Sequence, residues 1–326
     1  MKKNLTVSIQ PLIAFIFCIT VFWQNPAMAQ TQIEGSRSGE LPSHFYDTRT
    51  LSMAGTTIGD LYGRPSIDIN AALYGLYNIP TSIQFNSNHN WDTNFMQHDL
   101  TLPTKTIGFH HLTTRIGFLH QGFDHLPYTN TSLLPYPDLR MFRAELAHAI
   151  SISDYLSFGT LHSFSYTKTR DDTQNWNWNY FADVGLAYAP DGPVSYGLVL
   201  RGLGHKTIYE TIDTGQTRFG SRLARQILEI GVTLRYPVED RTYMSISFAN
   251  EKRFDENGLW YKGGAEIIPF SFIYIRAGAK VNFDQSLVIP RFGLGIYTER
   301  VQFNYMIAPK DIIGEQFHQI GVTIEL

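Results

Sequence analysis

From Thr81 to the last residue, the chain is written in segments in which apolar and polar residues alternate, each about ten residues long and bounded by turn chemistry. The clearest runs from Gln316 to Leu326. There Ile320, Val322, Ile324 and Leu326 are apolar, while Gln319, Gly321, Thr323 and Glu325 between them are small or polar. Successive side chains of a strand point to opposite faces, so this strand has one apolar and one polar face. The same pattern predicts strands near Thr81 to Asn88, Phe95 to Phe109, Thr113 to Gly122, Leu139 to Ile150, Tyr155 to Tyr166, Asn177 to Ala189 and Val194 to Leu203. It continues at Leu223 to Tyr236, Thr242 to Asn250, Leu259 to Ile267, Phe270 to Val281, Leu287 to Tyr297 and Arg300 to Ile307. The total is about fourteen, an even number, as closed single-chain membrane barrels have.

The connections alternate in length. Phe123 to Asp138, Thr167 to Trp176 and Gly204 to Arg222 are long, whereas Ser151 to Asp154, Pro190 to Pro193, Pro237 to Arg241, Ile268 to Pro269 and Thr298 to Glu299 are tight. Short periplasmic turns and longer outer loops give this rhythm, and a soluble sandwich has no reason to follow it. The pattern therefore predicts an all-β fold, a transmembrane antiparallel β-barrel of about fourteen strands in the bacterial outer membrane.

Taking the apolar face of the last strand as the lipid face, Ile273, Ile275, Ala277, Ala279 and Val281 fall outward with it, as do Val288, Phe292, Leu294 and Ile296. The ions fall on the other face: Arg115, Arg143, Glu145, Asp183, Arg201, Glu229, Arg235, Lys262, Glu266, Arg276, Lys280 and Arg291. An Arg or Lys on the lipid face at the midplane costs about 2–4 kcal/mol, which enforces the division. Two readings of the charged lumen stay open. Opposite charges pair and fill it, or Arg201, Arg235, Lys262, Arg276, Lys280 and Arg291 line a polar conduit or a surface for an anionic head group.

Before Thr81 the alternation stops. Arg49 to Pro80 is rich in small residues, with a short helix expected at Ile67 to Leu76 capped by Ser66 or Asp68. A barrel of this size needs more than wall side chains to fill it, and Leu51 to Ile79, including Met53, Gly55 and Asp60, is the expected plug. Gln30 to Thr48 reads as a lead-in without periodicity. The expected organisation is a signal peptide over 1–29, a periplasmic lead-in and plug over 30–80, and the barrel over 81–326. The signal has Lys2 and Lys3, an apolar stretch from Leu12 to Trp23, and Ala27-Met28-Ala29 before Gln30.

Composition narrows the function. The single cysteine, Cys18, lies in the expected signal, so the expected mature chain has no disulfide and no thiolate chemistry. Losing Lys2 and Lys3 takes the net charge from −3 to −5, which argues against nucleic acid. Aromatic residues make up 14% and charged residues only 17%, as suits a lipid-facing barrel, whose lipid contacts make the membrane its first partner. The loop around Phe123, Leu126, Leu133, Leu134 and Tyr136 is apolar enough to pack as a lid or to receive an apolar ligand or a protein partner. His110 and His111 are neighbours on a strand and point to opposite faces, so they do not chelate one ion, and His162-Ser163 splits the same way. No cofactor motif and no catalytic constellation stands out, and the expectation is a protein that is not an enzyme.

The run RTLSMAGTTIGDLYGRPSIDINAALYGLYNIP resembles the N-terminal signature of FadL-like outer-membrane proteins and their PorV/PorQ-type relatives in Bacteroidota. Met53-Ala54-Gly55 stands for the small-residue box, and Ala72-Leu73-Tyr74 with Asn78-Ile79-Pro80 for the second, with the glycine pair reduced and Asn and Pro displaced. Leu259 to Phe283 and the final hairpin and strand are similar to the family pattern as well. The resemblance implies a fourteen-stranded barrel with an N-terminal plug. Its implied role is passage of hydrophobic or amphipathic small molecules, or, as the alternative, a non-transporting envelope component that works with type IX secretion-system proteins or surface-protein assembly.

Overall fold

The computed structural model describes residues 46–61, 65–76, 81–90, 95–121, 138–170, 176–211, 217–223, 226–239, 242–255, 258–270, 272–308 and 317–326. The apolar loop candidates Phe123, Leu126, Leu133, Leu134 and Tyr136 lie outside them, as do the expected signal and lead-in up to residue 45.

Strands follow one another around a single antiparallel sheet. They are β1 (Ser82–Asn90), β2 (Phe95–Thr101), β3 (Lys105–Ile107), β4 (His110–Gln121), β5 (Asp138–Ser151), β6 (Leu156–Arg170), β7 (Trp176–Tyr188) and β8 (Val194–Thr211), then β9 (Thr217–Leu223), β10 (Ile227–Glu239), β11 (Thr242–Arg253) and β12 (Trp260–Phe270), and last β13 (Ile273–Asn282), β14 (Leu287–Thr298), β15 (Val301–Ala308) and β16 (Phe317–Glu325). The last strand pairs with the first, with Ser82 opposite Glu325 and His89 opposite His318, and β8 pairs with β10, so the sheet closes. The result is a closed 14-stranded barrel with an extra strand. Closure pairs the first strand with the last and β8 with β10, which is what lets strands cross a membrane.

Three expectations change. The strand expected from Phe95 to Phe109 is broken: β2 and β3 both lie against β4, and residues 102–104 between them contain Pro103, which has no N–H to give to a ladder. The stretch expected as a loop from Gly204 to Arg222 is largely strand, because β8 runs on to Thr211 and pairs with β9. Its Thr207, Ile208, Tyr209 and Thr211 are β-branched and aromatic residues that favour an extended backbone. The helix expected over Ile67 to Leu76 is a turn at Ile67–Ile69 followed by a 3-10 helix at Ala71–Gly75, with Asn70 as its cap. The Asn70 side chain accepts from Ala72 N–H at 3.1 Å, so neither Ser66 nor Asp68 starts the helix.

The two faces of the wall separate by chemistry. On β16 Ile320 and Ile324 are exposed while Gln319 and Thr323 are buried, and on β14 Phe292, Leu294 and Ile296 are exposed. The exposed apolar residues face outward all round the barrel, from Phe85 on β1 through Phe142, Phe164 and Phe248 to Tyr305 on β15. A wall apolar outside and ionic inside is stable only when lipid surrounds it, and closed antiparallel barrels of this kind lie in the bacterial outer membrane. Leu326 N–H donates to Thr81 O, so both ends of the barrel lie at one rim, the rim that carries the tight turns at 152–155 and 189–193 and is therefore periplasmic.

Inside the wall runs the segment from Tyr46 to Leu76. It consists of a short helix α1 (Thr48–Ser52), a 3-10 turn at Thr57–Gly59 and the 3-10 helix at Ala71–Gly75. Asp47 caps α1 by accepting from Thr50 N–H at 2.8 Å. The apolar core lies between this inner segment and the wall: Ile58, Ile69, Ala72 and Leu73 pack against Ala187, Val199 and Ala249. Burying an Ile or Leu side chain contributes about 1.5–3 kcal/mol, so these few contacts weigh as much as several hydrogen bonds.

Candidate functional site

The lumen is the candidate site, and small residues shape it. Gly159, Gly185, Gly197, Gly231, Gly264, Gly278, Gly293 and Gly321 stand at inward positions on eight strands, where the inner segment runs close to the wall. A Cβ on Gly197 would lie 2.1 Å from Ile58 O, and one on Gly159 would lie 2.3 Å from Ala72 N. Only glycine lets the two backbones approach this closely. Met53, wholly buried, sits over Gly264 and Gly278.

Ion pairs then fix the segment at three places. Arg49 of α1 reaches across to β12 and grips both oxygens of Glu266, Nε and Nη2 each donating at 2.9 Å, while Nη2 also meets Asp60 of the inner segment. Glu266 accepts from Arg276 as well, and Arg276 donates to Asn304 at 2.7 Å. Burial opposes the Arg49 charge, but Asp60 and Glu266 outweigh it and hold its pKa well above the ordinary arginine value.

At the second place, Arg201 of β8 donates to Glu229, to Asp183 at 3.1 Å and to two carbonyls of the inner segment, Asp68 O and Ile69 O. All four contacts are fully buried, which makes Arg201 a fork between wall and segment. Asn70 completes the join by donating to Ile58 O at 2.9 Å and to Leu186 O at 3.0 Å. At the third, Arg115 pairs with Glu145 on the neighbouring strand and with Asp68 at 3.2 Å. Burial pushes the Asp68 carboxyl up to about 6, with Arg115 pulling the other way.

Toward the outer rim a further cluster forms on β11 to β13. Glu251 receives Lys262 at 2.7 Å, Lys280 at 2.8 Å and Arg253 at 2.6 Å, and Lys262 also meets Glu229. Thus Arg201, Glu229 and Lys262 join one network, and Glu266 and Arg276 another. Lys280 joins the first through Glu251. Asp60 is buried beside Arg49, and Gly55 adopts a positive φ of 74° close to Lys262. Arg235 lies apart, its guanidinium 3.8 Å over the Tyr243 ring, and Arg291 is half-buried on β14 opposite Gly278.

The alternation pattern overlooked Arg49, Asp68, Asn70 and Glu251. Arg49 carried a readable signal, being a cation that opens a small-residue stretch that has to meet a charged wall. Glu251 fell one residue beyond the expected end of its strand. The glycines were readable too, since they occupy inward positions between outward apolar ones.

The histidines do other work. His110 and His148 share a 2.9 Å hydrogen bond on the outer face, and His162 bonds the Tyr180 hydroxyl at 2.9 Å, away from Ser163. Among the described residues no group of three or more metal-ligating side chains converges.

No protein-family model and no curated protein matches the chain. Solved structures do. The monoaromatic hydrocarbon channel CymD shares 11% identity over 86% of this chain and 97% of its own, with a TM-score of 0.60. The Pseudomonas putida toluene transporter TodX shares 11% over 86% and 96%, with a TM-score of 0.58. A FadL homologue from Pseudomonas aeruginosa shares 9% over 86% and 98%, with a TM-score of 0.57. At such identities the likeness is one of fold, and the fold is a FadL-like barrel.

Proposed function

We propose that the chain passes hydrophobic or amphipathic small molecules across the outer membrane, with residues 46–76 acting as the plug that closes the lumen between passages. The observation that carries this reading is the way the inner segment is held. Its backbone lies in a glycine-lined groove, and its anchors at Arg49, Arg201 and Arg115 are ion pairs and hydrogen bonds that exchange partners without bond breaking. The likeness in fold to channels named for toluene and monoaromatic hydrocarbons supports the same reading. In it, the loop bearing Phe123, Leu126, Leu133, Leu134 and Tyr136 collects apolar solutes at the outer surface, and the lipid around the barrel is its standing partner.

The alternative role beside type IX secretion, in the PorV/PorQ-type branch, rests on the N-terminal boxes. Those boxes have a local physical task. Met53-Ala54 of the first box lies on Gly264 and Gly278, and Ala72 of the second lies on Gly159, so the close seating of the backbone on the wall accounts for a small residue at Ala54 and Ala72, while Asn78-Ile79-Pro80 lies outside the described residues.

The test is uptake. Cells lacking the gene, with and without the chain restored, are given labelled monoaromatic hydrocarbons and longer amphiphiles at limiting concentration. Restoration is expected to raise the initial uptake rate several-fold for at least one class. Equal rates for every solute tested would end the transport reading.

A further inference from the structure

On the outward face of the wall, the nitrogen-bearing side chains of one sector fall on a single line. His318 of β16 stands opposite His89 of β1, His89 opposite Met96 of β2, Met96 opposite His120 of β4, and His120 opposite Arg140 of β5, with Lys168 of β6 next in register. Each lies within three residues of the end of its strand that points away from the periplasmic turns. Phe85, Leu100, Phe118, Phe142 and Ile320 are exposed and lie an even number of residues away on the same strands, so the line from His318 to Arg140 shares their face, the one that meets lipid. Arg140 is exposed and the three histidines are half-buried, with His318 Nδ1 2.7 Å from the Tyr305 hydroxyl.

A membrane barrel ordinarily carries aromatic and aliphatic side chains at this height. This one does so on another sector: at the outer ends of β12, β13 and β14, Tyr261 stands opposite Val281 and Val281 opposite Val288, with the exposed Phe283 ring 5.3 Å from that of Tyr261. The His318 to Lys168 line departs from that pattern, and in a chain of net charge −3 it includes no acidic residue. Its occupant has to suit both halves of the surface. Imidazole N–H and guanidinium groups favour an anionic acceptor, and the apolar residues toward the middle of the wall favour acyl chains. A surface that faces lipid meets both in one molecule, an anionic lipid whose headgroup lies at the interface.

We propose that the line from His318 to Arg140 is a docking surface for a phosphorylated glycolipid of the outer leaflet, its phosphates on the histidines and the arginine and its acyl chains on Phe85, Leu100, Phe118, Phe142 and Ile320. This gives a headgroup and a place to the lipid proposed above as the standing partner, and it rests on the outer-membrane setting of the barrel rather than on what passes through the lumen. The spacing favours two phosphates. His318 with His89 and His120 with Arg140 form two pairs separated by Met96, their centres three strand spacings or about 14 Å apart. A headgroup whose phosphates are held apart by sugar rings engages both pairs, and one with a single phosphate engages one. Arg140 offers the planar fork that suits phosphate, and each histidine adds an N–H.

The experiment is native mass spectrometry of the purified full-length barrel in micelles, titrated with bisphosphorylated lipid A, its monophosphoryl form and the fully dephosphorylated form. Affinity is expected to fall in that order, by about tenfold from first to last. The triple variant His89→Phe, His318→Phe, Arg140→Gln keeps aromatic rings at the interface while removing the donors, and is expected to lower bisphosphorylated binding about tenfold and leave the dephosphorylated form unchanged. The double variant His110→Phe, His148→Phe removes two outward histidines at the periplasmic end and is expected to bind as the parent does. Heat-modifiable gel mobility checks folding, and Arg140→Gln alone, at an exposed position, is expected to weaken binding several-fold and keeps the test decisive if the triple variant misfolds. Equal affinity for the phosphorylated and dephosphorylated forms, parental binding by the triple variant, or an equal loss in the periplasmic-end variant would overturn the proposal. So would displacement of the lipid by millimolar inorganic phosphate alone, which would mark a site for the free ion, or a lipid-free oligomer abolished by the triple variant, which would give the line to a second copy of the chain. The transport reading fails separately, on uptake, which this binding measurement does not use.

Discussion

At the scale of single residues, buried charge in this lumen is used to join two parts of the chain. Arg201 satisfies two carboxylates of the wall and two carbonyls of the inner segment at once, so removing it would take a buried donor from Asp183, from Glu229 and from both backbone oxygens together, with Lys262 still on Glu229. Breaking one partner of such a network costs about 3–5 kcal/mol, far more than the pair contributes over an apolar filling. Asp68 shows the same economy from the side of the segment, with a consequence for pH. Its folded pKa of about 6 lies above the ordinary aspartate value of about 3.9, so between those values the folded chain holds a proton that the unfolded chain releases. This group therefore makes the barrel less stable as pH rises from about 4 to about 6. Denaturant unfolding in micelles across that window should show Asp68→Asn with a flatter pH profile than the parent, the difference curve falling toward higher pH. A difference curve that is level or rises would mean that Arg115, not burial, sets the ionisation of Asp68.

At the scale of elements, the pairing of strand and inner segment is decided by which face a glycine occupies. Gly263 and Gly264 are adjacent on β12, yet a Cβ on Gly263 would meet only the Phe248 ring at 3.9 Å, whereas one on Gly264 would lie 2.5 Å from Thr56 Oγ1 and 2.7 Å from Met53 O. Valine suits a strand at either position, so propensity cancels from the comparison. Gly264→Val should push the inner segment off the wall at Met53 and Thr56, lowering the thermal midpoint by several degrees and raising ion conductance in planar bilayers, while Gly263→Val should match the parent in both. Equal behaviour of the two variants would show that the segment is not seated on this wall. The same pair explains what could be read from sequence. Period-two alternation, enforced by lipid on one side and ions on the other, made β11 to β16 and their inward Lys262, Glu266, Arg276 and Lys280 legible. It has no power where neither face meets lipid: the inner segment follows the wall with short 3-10 pieces, and its anchors Arg49, Asp68 and Asn70 obey no period. Nor does it foresee breaks such as Pro103 or extensions such as β9, which depend on where a strand stops needing the membrane.

At the scale of the whole molecule, two bodies with different sources of stability share one volume. The wall closes through ladders that run from β1 round to β16 without using the inner segment, and its outer face is stabilised by lipid. Among its described residues the inner segment has short helical turns of its own, and it takes most of its core contacts and its pairs with Glu266, Arg201 and Arg115 from the wall. Their separation is therefore asymmetric: the wall should survive loss of the segment, and the segment should not survive loss of the wall. Deleting residues 48–76 is expected to give a barrel that still inserts and still shifts mobility on heating, with a lower unfolding midpoint because Arg201, Glu229 and Glu266 lose partners or neighbours. Its lumen should then conduct ions in planar bilayers, where the parent stays closed. The deletion also decides which part makes the lumen a valve. If the shortened barrel folds and conducts, closure belongs to the segment, and passage requires that Arg49 and Arg201 release their partners. If it folds and stays closed, the wall clusters around Glu251 and Glu266 suffice to block the lumen, and the segment serves stability instead.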